Sequence, residues 1–174
     1  MNRNYELASP NPEFLIKSIA EQGYSLETAL ADLMDNSITA NASRIEVLTK
    51  IDEEPFTLFL SDNGDGMNKD SLKRNMQFPS KSPEDSRESK DLGRFGLGLK
   101  TASFSQTRAF TVLSRKKGST FFSGLTWDVK HLKDSGNWEI LINSDEEIAE
   151  ILEKYNNISN DHQNSSADFI PNTI

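Results

Sequence analysis

Leu26-Glu-Thr-Ala-Leu-Ala-Asp-Leu-Met-Asp-Asn-Ser-Ile-Thr-Ala40 and, further on, Asp62-Asn-Gly-Asp-Gly-Met67 are the stretches on which the reading of this chain turns. In the first, Leu26, Ala29, Leu30, Leu33 and Ser37 follow the i, i+3, i+4, i+7 spacing of a buried helix face. Asp32 and Asn36 stand one turn apart on the shoulder of that face. A carboxylate and a carboxamide there lie against the core yet can reach a cleft. An amphipathic helix with two polar residues at its edge would give the same pattern. Ser25 is a good N-cap for this helix, and Asn41 and Ala42 end it.

The 174 residues suit one domain with a sizeable core. The chain is 35% hydrophobic and 26% charged. The absence of cysteine excludes disulfides, thiolate metal sites and a cysteine nucleophile. The histidines, His131 and His162, are too far apart in sequence to suggest a zinc site. A net charge of -8 argues against a general affinity for nucleic acid or anionic membrane. No run approaches the roughly 20 apolar residues of a membrane span, and nothing resembles a signal peptide. The expected location is cytoplasmic.

Around the two central stretches the pattern is α+β. Glu13 to Gln22 reads as a short helix stopped by Gly23. Arg44 to Ile51 and Phe56 to Leu60 read as strands of a hairpin that runs into the Asp62 turn. Asn68 to Met76 reads as a helix. From Phe78 to Leu92 the pattern stops, and a stretch of this length and charge suggests a functional or disordered loop. It leads into Gly93-Arg-Phe-Gly-Leu-Gly-Leu-Lys100, with a helix expected from Leu97. Thr107 to Ser114 and Ser119 to Trp127 read as strands around an Arg115–Gly118 turn, and Trp138 to Ile142 as another. Ser144 to Tyr155 reads as a helix, Asn156 to Asp168 as a loop, and Phe169 to Ile174 as the start of a last strand.

The Asp62 turn has three readings. It could be only a tight turn, since Gly and Asn tolerate positive φ. As a calcium loop it fails, because Ser61 and Leu72 stand where the first Asp and the twelfth Glu are required. It could also present Asp62 at the floor of a pocket. A carboxylate only accepts hydrogen bonds, which suits an exocyclic amine such as that of adenine, and Gly64 and Gly66 would let a base approach closely. The Gly93 cluster is a near miss for a Walker loop, because Leu99 separates Gly98 from Lys100. Glycines ahead of a helix still expose N–H groups to an anion, and Lys100 adds a point charge suited to phosphate. A flexible hinge fits the glycines equally well. Taken together, the elements suggest adenine recognition, phosphate recognition, and a pair in which Asn36 could ligand Mg²⁺ and Asp32 could take a proton from water.

Three ordered stretches carry a family resemblance: Asp32 to Ala40, Asp62 to Gly66, and Gly93 to Lys100. Together they resemble the ATP-binding domain of the GHKL superfamily of gyrase B, the heat-shock chaperone of that group, histidine kinases and MutL. The likeness is nearest to its MORC-like and uncharacterised prokaryotic branch. It spans roughly Phe14 to Trp127. It implies the Bergerat fold, a two-layer sandwich with a mixed β-sheet, helices on one face, and ATP between helices and a lid over residues 78–98. By the same resemblance residues 1–174 are a single ATP-binding domain, an N-terminal fragment of a longer protein. Asn36 would ligand Mg²⁺, and Asp62 would receive the adenine amine. Ala40, Gly64, Gly66 and Met67 would line the base pocket. Gly93, Arg94, Phe95, Gly96, Leu97, Gly98 and Lys100 would hold the phosphates, and Thr173 would back the adenine.

The chain departs from the family pattern in two places. Asp32 stands where the family's general base is usually Glu, about 1.5 Å shorter in reach. A displacement of about 1 Å can cost roughly a hundredfold in rate, so slow hydrolysis is expected. Asp35, further round the helix, is a poor substitute. Thr39 replaces the usual Asp before Ala40. The expected function is Mg·ATP binding and slow hydrolysis that drives lid closure or pairing of two copies, with further domains of the same protein as partners. The alternatives are an ATP-binding module without hydrolysis and the catalytic domain of a histidine kinase. Against the kinase, no phosphoacceptor-histidine helix is visible, and Asn36-Ser-Ile-Thr39 stands where such kinases usually carry Asn-Ala-x-Lys. Nothing in the pattern indicates a nucleic-acid or membrane partner.

Overall fold

The structure is a computed structural model, and it describes residues 6, 8–21, 24–51, 56–78, 97–161 and 169–174. Helix α1 (Pro12–Ala20) starts on Asn11, whose side chain accepts from Phe14 N, with Pro12 in the first turn where its missing N–H costs nothing. Helix α2 (Leu26–Thr39) starts, as expected, on Ser25, which accepts from Thr28 N. It ends at Ala40 and Asn41, the latter with φ 59°.

Strands β1 (Ile45–Lys50) and β2 (Thr57–Asp62) form the first antiparallel pair, with Ile45 opposite Asp62. Helix α3 (Lys69–Met76) follows the glycine turn, capped by Asn68. Helix α4 (Gly98–Gln106) precedes β3 (Ala109–Ser114) and β4 (Ser123–Asp128), which pair antiparallel with Val112 opposite Leu125. Helix α5 (Val129–Ser135) was not expected from the sequence. Its signals are short: Asp128 as N-cap and a left-handed Gly136 at the C-cap. Of the strand expected over Trp138 to Ile142, only β5 (Leu141–Ile142) pairs. Trp138 turns instead toward Phe78 and Trp127, with ring centroids 5.1 and 6.5 Å away. Helix α6 (Asp145–Asp161) runs six residues past the expected end at Tyr155. Ile148, Tyr155 and Ile158 continue one buried face, and their burial overrides the loop-like composition beyond Asn156.

The last residues of the chain join the two strand sets. Thr173 bridges Asp62 on one side and Ser114 on the other, antiparallel to both. Asp62 N donates to Thr173 O at 2.9 Å, while Leu113 and Ile174 exchange two bonds, each of 2.9 Å. Because 172–174 runs antiparallel to both neighbours, β2 and β3 run parallel. The result is the expected mixed sheet, in the order β1, β2, 172–174, β3, β4, β5.

The α+β architecture is the one the sequence suggested. Alternation along β3 sends Val112 to one face and Leu113 to the other. On the first face Val112, Leu125 and Trp127 pack with Ile16, Leu72, Met76, Phe104 and Leu132 of the helices. Helix α2 lies against α4 on this side. On the second face Leu113, Leu48 and Ile174 pack with Ile148, Tyr155 and Ile158 of α6. This adds a cover that the sequence pattern did not show. Among the described residues no helix is long and apolar enough to cross a membrane.

Candidate functional site

Asp62 is the last residue of β2, 4% exposed. Strand alternation splits the final pair. Ser61 turns to Tyr155 of α6, its Oγ 3.1 Å from the phenol oxygen, and Asp62 turns to α2. Ser37 Oγ donates to Asp62 Oδ2 at 3.1 Å, and Gly64 N donates to Oδ1 at 2.8 Å. Burial pushes the Asp62 carboxyl above its ordinary range, and the Gly64 and Ser37 donors oppose that rise. Sequence placed Ser37 on the buried face of α2. Its partner, 25 residues away, was not legible there.

The turn after Asp62 is bonded on every side. Asp65 N donates to the Ala40 carbonyl at 2.8 Å, and Asn41 Nδ2 donates to Asp65 Oδ2 at 2.8 Å. Asn63 Oδ1 accepts from Ser43 N and Arg44 N. Lys117 N donates to Asp65 O, and Asn172 Nδ2 donates to Gly64 O at 2.9 Å. The two glycines have protein neighbours of their own. A Cβ on Gly64 would lie 2.5 Å from the Ala40 carbonyl oxygen. A Cβ on Gly66, at φ 59°, would lie 1.8 Å from the Arg115 carbonyl oxygen. Ala40 and Gly64 are thus packed against each other beside Asp62.

Thr173 faces Asp62 across the ladder, and opposed residues of an antiparallel pair project to the same face. Ser114 Oγ accepts from Met67 N at 2.9 Å, donates to the Asn172 carbonyl at 3.1 Å, and lies 3.0 Å from Thr173 Oγ1. Asp62, Thr173, Ser114 and Met67 are thereby one connected group. Ser114 and Asn172 carried no sequence signal that marked them.

On α2, Asn36 is exposed and Asp32 is half-buried. Tyr24 donates its hydroxyl to Asp32 Oδ2 at 3.0 Å, a contact with no signature in the spacing. That bond, then burial, holds the Tyr24 hydroxyl above its ordinary pKa. Thr39 is exposed and donates to the Asp35 carbonyl at 2.9 Å, within its own helix.

Gly93, Arg94, Phe95 and Gly96 lie outside the described residues, as does most of the 78–98 stretch. Leu97 is the N-cap of α4 and makes no side-chain cap hydrogen bond. A Cβ on Gly98 would meet no described atom within 4 Å. Lys100 is 2% exposed and donates to the Asn75 carbonyl at the end of α3, and burial lowers its pKa to about 8. Its ammonium is therefore directed at the end of α3.

A family model described as histidine kinase-, DNA gyrase B-, and HSP90-like ATPase matches residues 24–164. ATPase MORC2B of Mus musculus is 35% identical over 94 residues, which cover 52% of this chain and 9% of that protein. The chaperone protein HtpG of Colwellia psychrerythraea is 31% identical over 105 residues, covering 55% of this chain and 16% of its own length. HtpG of Clostridium acetobutylicum is 30% identical over 145 residues, covering 71% of this chain and 23% of its own. This chain thus spans less than a quarter of the length of each of these curated relatives.

Proposed function

We propose that this chain, which belongs to the histidine kinase-, DNA gyrase B- and HSP90-like ATPase family, binds Mg·ATP in the cleft floored by Asp62 and hydrolyses it slowly. The buried Asp62 carboxylate, bonded to Ser37 and Gly64 N, carries this reading. An acceptor-only group held in a nearly dry place recognises a donor, and the exocyclic amine of adenine is one. In this reading Ala40, Gly64, Gly66, Met67 and Thr173 surround the base. The residues Gly93 to Gly98 and the N–H groups at the start of α4 hold the phosphates, with Lys100 of the same helix adding positive charge. Asn36 offers a neutral oxygen to Mg²⁺, a donor type this ion accepts. Bound there, Mg²⁺ would neutralise phosphate charge. Asp32 takes the proton from the attacking water. Closure of the 78–98 lid over the nucleotide and pairing of two copies would make the domain a switch.

Thermal unfolding with ATP, with and without Mg²⁺, tests the reading. Nucleotide at about 100 times its Kd adds roughly 2.7 kcal/mol. For a chain of this size that is a rise in Tm of about 5–10 °C. No shift at millimolar Mg·ATP would remove the nucleotide site. The role of Asp32 is tested separately. Asp32→Ala is expected to keep the Mg·ATP shift and to lose turnover in a phosphate-release assay, and unchanged turnover would exclude Asp32 as the base.

A further inference from the structure

We propose that Tyr24 is a positioning residue for hydrolysis, its hydroxyl holding the Asp32 carboxylate so that the second carboxylate oxygen faces the attacking water. The proposal rests on the ATPase reading above. Tyr24 OH donates to Asp32 Oδ2 at 3.0 Å, which leaves Oδ1 without a hydrogen bond to any described residue. Aspartate has only two side-chain torsions, so one hydrogen bond at Oδ2 fixes the plane of the carboxylate and the direction of Oδ1. That matters more for this chain than for one with a longer acid, because a short side chain cannot search for the water by rotating a further methylene.

Tyr24 is itself anchored. It sits directly before the N-cap Ser25 of α2, and Gln106 Nε2, from the last residue of α4, donates to its carbonyl at 3.1 Å. Helices α2 and α4 pack together along this seam. The phenol therefore reaches Asp32 from a backbone held by the helix whose other end begins at Gly98. Tyr24 and Asp32 are both half-buried, so the bond is partly shielded from water.

In the step served by this arrangement, a water O–H breaks as its oxygen bonds the terminal phosphorus. The P–O bond to the leaving diphosphate breaks, and its electron pair stays on the ADP oxygen. The proton rests on Asp32 Oδ1 until solvent removes it. Tyr24 keeps its own proton throughout and touches no reacting atom.

Tyr24→Phe tests the proposal in the full chain, read by steady-state hydrolysis and by thermal unfolding with Mg·ATP. The expected result is a fall in kcat of about tenfold with KM within about twofold of the parent and an undiminished Mg·ATP shift. Gln106→Ala, which loosens the anchor and leaves the phenol in place, is expected to lower kcat in the same direction by less. A readout that needs no turnover is the ¹³Cζ NMR titration of Tyr24, whose ionisation is expected at lower pH in Asp32→Ala than in the parent. Unchanged kcat in Tyr24→Phe would overturn the proposal. So would kcat, affinity and Tm falling together, which marks a structural staple, or a Tyr24 titration indifferent to Asp32. A parent chain that shows the Mg·ATP shift but no hydrolysis overturns the positioning role and leaves ATP binding standing. Absence of the shift removes the ATP site and this role with it.

Discussion

Asp62→Asn is expected to lower ATP affinity by at least about a hundredfold, roughly 2.7 kcal/mol, measured by calorimetric titration. The substitution nearly preserves shape and removes one acceptor. Gly64 N–H points at Oδ1 from a backbone that cannot turn away, so the amide must place its oxygen there. Its NH₂ then occupies the place of Oδ2 beside Ser37. Ser37 can adapt by rotating its hydroxyl toward the Leu33 carbonyl, 3.5 Å away, and accepting from the amide. An adenine amine cannot adapt, because it would meet a donor where it needs an acceptor, in a place too dry for water to intervene. Ser37 absorbs the local change, so Tm without nucleotide should move little. An affinity equal to that of the parent would remove Asp62 from base recognition.

Gly66→Ala is expected to be the most destabilising single change in the site, by about 4 kcal/mol or more, a loss of roughly 8–16 °C in Tm. Two causes add. At φ 59° an alanine costs about 1–2 kcal/mol of backbone strain. Its Cβ would then lie 1.8 Å from the Arg115 carbonyl oxygen and 2.9 Å from the Arg115 carbonyl carbon, both backbone atoms. Relief requires moving Arg115, whose N–H bonds the Asn172 carbonyl, or Met67, whose N–H bonds Ser114. Either shift opens the junction where 172–174 joins the two strand sets. Gly118→Ala is the control: φ is 86°, yet an added Cβ meets no described atom within 4 Å, so only the strain of about 1–2 kcal/mol should appear. Equal losses in the two variants would show that the close approach to Arg115 carries no weight.

The glycines show how far a sequence reading extends. Spacing marked Gly64 and Gly66 as a place of close approach. The structure shows that what approaches includes the chain's own Ala40 and Arg115 carbonyls. Lys100 was read as a charge for phosphate, and the fold buries it against Asn75 at the end of another helix.

What the sequence by itself determined is local or ordered along the chain. It includes α2 with its Ser25 cap, the two hairpins, the tight turn after Asp62, and the family, carried by three motifs in order. These follow from contacts between near neighbours and from turn chemistry, which any short window displays. Only the tertiary structure decided which distant segments meet. Thr173 fills the gap between Asp62 and Ser114 and makes one mixed sheet. Ser37 reaches Asp62, Tyr24 reaches Asp32, and the burial of Ile158 carries α6 past its loop-like composition. The physical reason is common to all of these. A serine, a tyrosine or a three-residue strand has no periodicity of its own, and its partner is chosen by the unpaired groups that the rest of the fold presents to it.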